Sequence, residues 1–130
     1  MTVNYAEKIK DDYTKEELLD LYQTMYASRK LDEKMLMLIR QGKGFFHIGS
    51  SGHEAANLAA AKAMKPAYDW FYPHYRDMAL CLGLGHRYED IMLAFFSKKD
   101  DIACGGRQMP QHFGNHKLRI VTVSSPTGTQ

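Results

Sequence analysis

Tyr75 and Arg76, in the run Phe71-Tyr72-Pro73-His74-Tyr75-Arg76-Asp77, set a phenol beside a guanidinium just after a proline. Such a pair is suited to holding an anion. Pro73 has a fixed φ and no amide hydrogen, which fits the first turn of a helix, where unpaired amides and the dipole favour negative charge. The same dipole disfavours a cation, so Arg76 there either pairs with Asp77 on the surface or faces a bound anion such as a diphosphate. Further along, Ser124-Ser125-Pro126-Thr127-Gly128-Thr129-Gln130 follows a run that reads as a strand. Its hydroxyls and free carbonyls suit a hard cation or the polar edge of a ligand, and equally an ordinary helix cap.

Other spacings carry less chemistry. His53-Glu54 opens like a zinc-protease signature, but the residue four after His53 is Asn57, so the second ligand is missing. His112 and His116 are four apart, yet Pro110 and Gly114 oppose the regular helix that would bring both imidazoles to one face. Two exposed histidines, or a metal site in a loop, are the readings left. Gly83-Leu84-Gly85 lacks the third glycine and the preceding strand of a dinucleotide fingerprint and reads as a helix stop. Gly105-Gly106-Arg107-Gln108-Met109-Pro110 joins backbone freedom to an arginine, which fits approach to a phosphate or a surface turn.

Helices must position these residues. Thr14-Lys15-Glu16-Glu17 has capping-box form, and Leu18, Leu21, Tyr22, Met25, Tyr26, Met35, Leu36 and Ile39 recur at helical spacing until Gln41-Gly42-Lys43-Gly44. Phe45-Phe46-His47-Ile48 ends in the flexible Gly49-Ser50-Ser51-Gly52 and leads to a second helix over His53 to Met64. Its six alanines suit close approach in a crowded interior. A third helix is expected from Pro73 to Gly83 or Gly85, and a fourth from Tyr88 to Phe96. Residues 103–116 read as a long irregular loop, Asp69-Trp70-Phe71 as a short extended piece, and Arg119 to Val123 as a strand. The fold class is mostly α with short strands.

The 130 residues are 45% hydrophobic and 25% charged, ordinary for one globular domain with its own core. A net charge of +2, spread along the chain, announces neither a nucleic-acid surface nor a membrane surface. Cys81 and Cys104 stand far apart and outside any CxxC pairing, and Met1-Thr2-Val3-Asn4-Tyr5 opens a polar segment unlike a secretory signal. A cytoplasmic protein with free thiols is the expectation.

Taken in order, Arg29…Asp32-Glu33, Arg40-Gln41-Gly42-Lys43, Gly52-His53-Glu54-Ala55, Tyr75-Arg76, Gly106 to Gly114 and Ser124 to Gln130 form a specific set. From about Leu18 to Gln130 the chain resembles the alpha-type region of thiamine-diphosphate-dependent 2-oxo acid dehydrogenases, the decarboxylating component of the pyruvate and branched-chain complexes. The resemblance implies the amino-terminal part of an α/β thiamine-diphosphate-binding fold, with residues 1–13 a polar arm and 14–130 a truncated domain. It puts Tyr75 and Arg76 on the cofactor's diphosphate and Ser125 on the cofactor. Ser124, Pro126, Thr129 and Gln130 match positions that hold a potassium ion in the branched-chain type. His47 matches a histidine near the reacting carbon in the pyruvate type, where it contacts substrate. Gly106-Arg107-Gln108-Met109-Pro110 and Ser124-Ser125-Pro126 match the branched-chain type, so the resemblance implies a 2-oxo acid without choosing between the two.

The implied reaction is decarboxylation of a 2-oxo acid on thiamine diphosphate and transfer of the acyl group to lipoamide, an oxidoreductase activity in which the cofactor carries the chemistry. The implied partners are a beta-type region, separate or fused, that holds the activating glutamate, a lipoyl-bearing acyltransferase, and an oligomeric assembly. In the family the magnesium-binding Gly-Asp-Gly motif follows the Ser-Ser-Pro segment and would lie past Gln130. These 130 residues alone are therefore expected neither to hold magnesium nor to turn over substrate. The alternative is a non-catalytic helical fragment used for interaction or assembly.

Overall fold

The computed structural model describes residues 12–122. Their regular structure consists of α1 (Lys15–Arg40), α2 (Glu54–Ala63), α3 (Met78–Gly83) and α4 (Tyr88–Phe95). Helix α1 begins where the capping box places it. The Thr14 hydroxyl accepts from the Glu17 amide at 3.2 Å, and the Glu17 carboxylate accepts from the Thr14 amide at 2.9 Å. Its buried residues, Ser28, Asp32, Met35 and Leu38, follow one stripe at helical spacing, and two of the four are polar. Only the second half of α1 lies on the core: Leu19, Tyr22 and Tyr26 of the first half are exposed, as is Leu36 on the outer face of the second. At the end, Gly42 takes φ 68°, and Lys43 N–H closes onto Leu38 O at 2.9 Å. Thr14→Ala should cost about 1 kcal/mol, read as a melting temperature lower by about 3–5 °C for a chain of this size.

The core joins Met35 and Leu38 of α1, Ala61 of α2, Met78, Cys81 and Leu82 of α3, and Ile91 and Phe95 of α4, with Phe71, Leu84, Phe113 and Ile120 from the connections. Helices α2 and α3 approach closely because Gly83 has no side chain. A Cβ there would lie 2.8 Å from Ala61 Cβ and Leu58 Cδ2. The other alanines behave differently from the crowded interior that composition suggests, since Ala55, Ala56, Ala59 and Ala63 are exposed. Cys81 is buried and Cys104 half-buried, both free. Among the described residues no helix is long and apolar enough to cross a membrane.

Two expectations need correction. Helix α3 starts at Met78, five residues after Pro73. The intervening segment is a turn held by side chains: Asp77 Oδ2 accepts from His74 N–H at 2.8 Å, His74 O accepts from Asp77 N–H at 2.9 Å, and Asn57 Nδ2 donates to Arg76 O at 3.2 Å. A short acidic side chain that bonds its own neighbours' backbone competes with helix formation. Likewise the run from Arg119 makes only isolated bridges among the described residues, Phe71 to Ile120 in parallel and Asn115 to Ile120 antiparallel. Arg119 sits at φ 56°, which breaks the extended backbone, and its Nη1 donates to Tyr68 O at 2.6 Å.

The 103–116 loop is irregular, as its composition implies, and is organised by buried Asp101. That carboxylate accepts from the amides of Ala103, Cys104 and Gly106 at 3.0–3.3 Å. The amides that would cradle a phosphate are thus occupied by a carboxylate, while Arg107 Nε donates to Cys104 O at 2.9 Å. Gly106 is required, because a Cβ at its φ of 72° would run into the Ser97 carbonyl. The Gly105-Gly106-Arg107 run is a turn.

His86 is buried between α3 and α4, and neither ring nitrogen has an aligned partner. Burial pushes its imidazole below the usual histidine range, while Asp90, Asp101 and the Gly114 backbone pull the other way. The unfolded chain therefore takes this proton more readily than the folded one. His86 costs no stability above its ordinary value of 6.5, and costs progressively more as pH falls below it, by up to about 1.4 kcal/mol per pH unit. Urea midpoints between about pH 5 and pH 7 should fall less steeply in His86→Gln than in the native protein.

Candidate functional site

Helix α1 presents Arg29 and Asp32 three residues apart, hence on one face, toward the segment that joins α1 to α2. Asp32 is 1% exposed. Its Oδ1 accepts from Ser50 N–H at 3.1 Å and its Oδ2 from the Ser51 hydroxyl at 2.7 Å. His47 Nε2 lies 2.9 Å from Asp32 Oδ1, off the line of an ideal hydrogen bond. Burial alone would raise the Asp32 carboxyl; the contacts with His47, Ser51 and the Ser50 amide outweigh it and hold the group below the ordinary carboxylate value.

The next turn is fixed by Glu54, the first residue of α2. Its Oε1 accepts from Arg29 Nε at 2.7 Å and its Oε2 from Gly52 N–H at 2.8 Å. The Arg29 bond, followed by the backbone amides, keeps the Glu54 carboxyl below its usual range against a burial effect of opposite sign. A third anchor comes from the far loop: Gln111 Oε1 accepts from Ile48 N–H at 2.8 Å, and Gln111 Nε2 lies 2.9 Å from His47 Nδ1. Gln111 is buried with φ at 68°, a backbone conformation that residues with a Cβ rarely adopt.

Arg76 reaches the same segment from the turn before α3. Its Nη1 donates to Gly49 O at 2.7 Å. Its guanidinium carbon lies 5.5 Å from the Tyr75 ring centroid, and the Tyr75 ring in turn packs on His74 at 3.7 Å. Asp77 is taken up by the His74 amide, and among the described residues no carboxylate pairs with Arg76. The surface salt bridge is therefore not what Arg76 makes. The dipole difficulty also disappears, because Arg76 precedes the N-cap Asp77 and lies outside the helix. What remains is a half-buried guanidinium with one carbonyl partner beside a half-buried phenol, a donor set suited to an anion.

Comparison with known proteins gives this arrangement its context. The family described as Dehydrogenase E1 component matches residues 22–130. The chain belongs to that family. This E1 chain is 48% identical over 117 residues to 2-oxoisovalerate dehydrogenase subunit alpha of Bacillus subtilis, covering 90% of the chain and 36% of that protein. It is 33% identical over 119 residues to the mitochondrial subunit alpha of Dictyostelium discoideum and 30% over 116 residues to that of Homo sapiens, covering 92% and 89% of the chain and 26% of each relative. It thus spans about a third or less of the length of these relatives.

Of the residues singled out from the sequence of this E1 chain, Tyr75, Arg76 and His47 lie around one segment, joined through Gly49 and Ile48. The His47 side chain is 0% exposed and faces Asp32 and Gln111. Ser124, Ser125, Pro126, Thr129 and Gln130 lie outside the described residues. His112 bonds the Met109 carbonyl through Nδ1 at 2.9 Å, and among the described residues no group of three metal-ligating side chains forms. Surface cavities of about 250 and 600 Å³ open elsewhere, and none of their lining residues belongs to this cluster. The sequence reading gave Asp32, Glu54 and Gln111 no role. All three stand within the ordered motifs, and Asp32 alone carried a local signal of burial, a carboxylate three and six residues before apolar Met35 and Leu38 on the same helical stripe.

Proposed function

We propose that this E1 chain supplies the diphosphate clamp and part of the substrate entrance of a thiamine-diphosphate-dependent enzyme that decarboxylates a branched-chain 2-oxo acid and passes the acyl group to lipoamide. The observation that carries the reading is Arg76: a guanidinium without a carboxylate partner among the described residues, aimed by the Gly49 carbonyl and backed by Tyr75. The relatives compared above are 2-oxoisovalerate dehydrogenase alpha subunits, which supports the branched-chain substrate.

In this reading thiamine diphosphate supplies the electron sink for decarboxylation. Arg76 and Tyr75 bind its diphosphate, Ser125 contacts it, and Ser124, Pro126, Thr129 and Gln130 bind a potassium ion that shapes their loop. Magnesium ligands and the activating acid come from regions other than these residues, the latter from a beta-type partner. A lipoyl-bearing acyltransferase and an oligomeric, cytoplasmic enzyme complete the picture. His47 stands behind the substrate entrance. Its ring nitrogens face Asp32 and Gln111, so contact with a substrate carboxylate requires the ring to turn from one of them.

The test is turnover by the assembled enzyme with a lipoyl acceptor. A higher kcat/KM for 2-oxoisovalerate than for pyruvate is expected, and the reverse order would refute the substrate assignment. The 130-residue chain by itself, given thiamine diphosphate and magnesium, should release no carbon dioxide from either acid.

A further inference from the structure

We propose that Asp32 and Gln111 are positioning residues: together they decide which nitrogen of His47 carries its proton, and they hold the segment whose Gly49 carbonyl aims Arg76. The argument is one of donor direction. Ile48 N–H can only donate, so the Gln111 atom facing it at 2.8 Å is the carbonyl oxygen. The amide nitrogen of Gln111 then faces His47 Nδ1 at 2.9 Å, and an NH₂ group can only donate, so Nδ1 presents its lone pair. The proton is left on Nε2, which lies beside Asp32 Oδ1 at 2.9 Å but off the line of a hydrogen bond.

Asp32 completes the hold. The carboxylate that faces Nε2 also accepts from Ser50 N–H and the Ser51 hydroxyl, so His47, Ser50 and Ser51 are gathered on one buried group. Gly49 lies between them. Its Cα hydrogens face Asp32, where a Cβ would come within 3.2 Å of Oδ2, and its carbonyl accepts from Arg76 Nη1 at 2.7 Å. Three elements distant in sequence therefore meet on residues 47–51: α1 through Asp32, the far loop through Gln111, and the turn before α3 through Arg76. Gln111 is held in a left-handed backbone conformation while it makes two hydrogen bonds to this segment. Strain at a buried non-glycine residue persists where the surroundings over-determine it.

The consequence for Arg76 rests on the clamp reading above; the proton assignment does not. Long-range ¹H–¹⁵N correlation spectra of the 130-residue chain, with the His47 ring identified by its loss in His47→Asn, read the tautomer directly. At neutral pH the native ring should show a protonated Nε2 and a bare Nδ1. In Gln111→Glu the new carboxylate still accepts from Ile48 but has no proton to give, so Nδ1 should become protonated and the Arg76 Nε–H signal should shift with it. A native ring protonated at Nδ1 overturns the proposal without any variant. So does an unchanged ring in a folded Gln111→Glu. A ring that switches while the Arg76 signal stays put removes the link to the clamp. Failure of the clamp reading itself would show elsewhere, as cofactor affinity indifferent to Arg76.

Discussion

Replacing Arg76 by alanine in the assembled enzyme is expected to weaken thiamine diphosphate binding about ten- to a hundred-fold, because hydrogen bonds to a charged group contribute about 1.5–3 kcal/mol each. Binding should suffer more than folding. Among the described residues the Arg76 side chain makes one hydrogen bond, to the Gly49 carbonyl, whereas a diphosphate would engage two donors of its planar fork. Arg76→Lys keeps the charge but not the planar fork, and should fall between the two. Calorimetric titration of the cofactor separates the cases: an Arg76→Ala enzyme that melts normally and binds as tightly as the native one would mean that the clamp lies elsewhere. That result would favour the non-catalytic assembly role, in which the helices matter and the anion site does not.

Asp32→Ala should be among the most damaging single substitutions for stability, at about 2–6 kcal/mol for two stranded buried donors. A carboxylate that is 1% exposed serves an amide, a hydroxyl and an imidazole at once. Its removal leaves the Ser50 amide and the His47 imidazole buried with nothing to accept from them, and each such orphan costs about 1–3 kcal/mol, while the exposed Ser51 hydroxyl can turn to water. Against a total stability of about 5–15 kcal/mol for an ordinary domain, the loss should be plain in a urea titration. Asp32→Asn, which preserves volume and one acceptor, should cost less. A loss under about 1 kcal/mol in Asp32→Ala would show that water replaces the carboxylate without difficulty.

The pH dependence carries the same signature from the other direction. Asp32, Glu54 and Asp90 all have carboxyls held below their ordinary values; Arg87 lowers Asp90 chiefly through its hydrogen bond. The folded state therefore resists their protonation. Their stabilisation is complete above the ordinary values of 3.8 and 4.5 and is lost as pH falls through the lower native ones. His86 acts earlier, below 6.5. A plot of stability against pH should show a shallow decline from His86 followed by a steeper acid limb.

Much of the scaffold can be read locally. The Thr14 capping box, the Gly42 stop and the amphipathic run from Tyr88 depend on residues within a turn of one another, and the structure has each where the pattern puts it. The expected Pro73 helix shows the limit of that approach. Proline permits a helix start there, but Asp77 ties itself to the His74 amide and Asn57 takes the Arg76 carbonyl, so the turn persists for five residues. The second of those partners lies 19 residues away in the chain, where no local pattern can reveal it.

The sequence alone was enough to mark the E1 family, because its motifs occur in a specific order, and to raise Tyr75-Arg76 as a candidate for binding an anion. It could not decide which charges are buried. Asp32 and Glu33 are adjacent carboxylates on one helix, yet the first is 1% exposed and the second is exposed and paired with Lys30 at 2.7 Å. The difference arises from groups brought in from afar: Ser50 is 18 residues from Asp32, Gly49 is 27 from Arg76, and Gln111 is 64 from His47. A buried charge needs partners to replace its lost hydration, and only the tertiary structure supplies them.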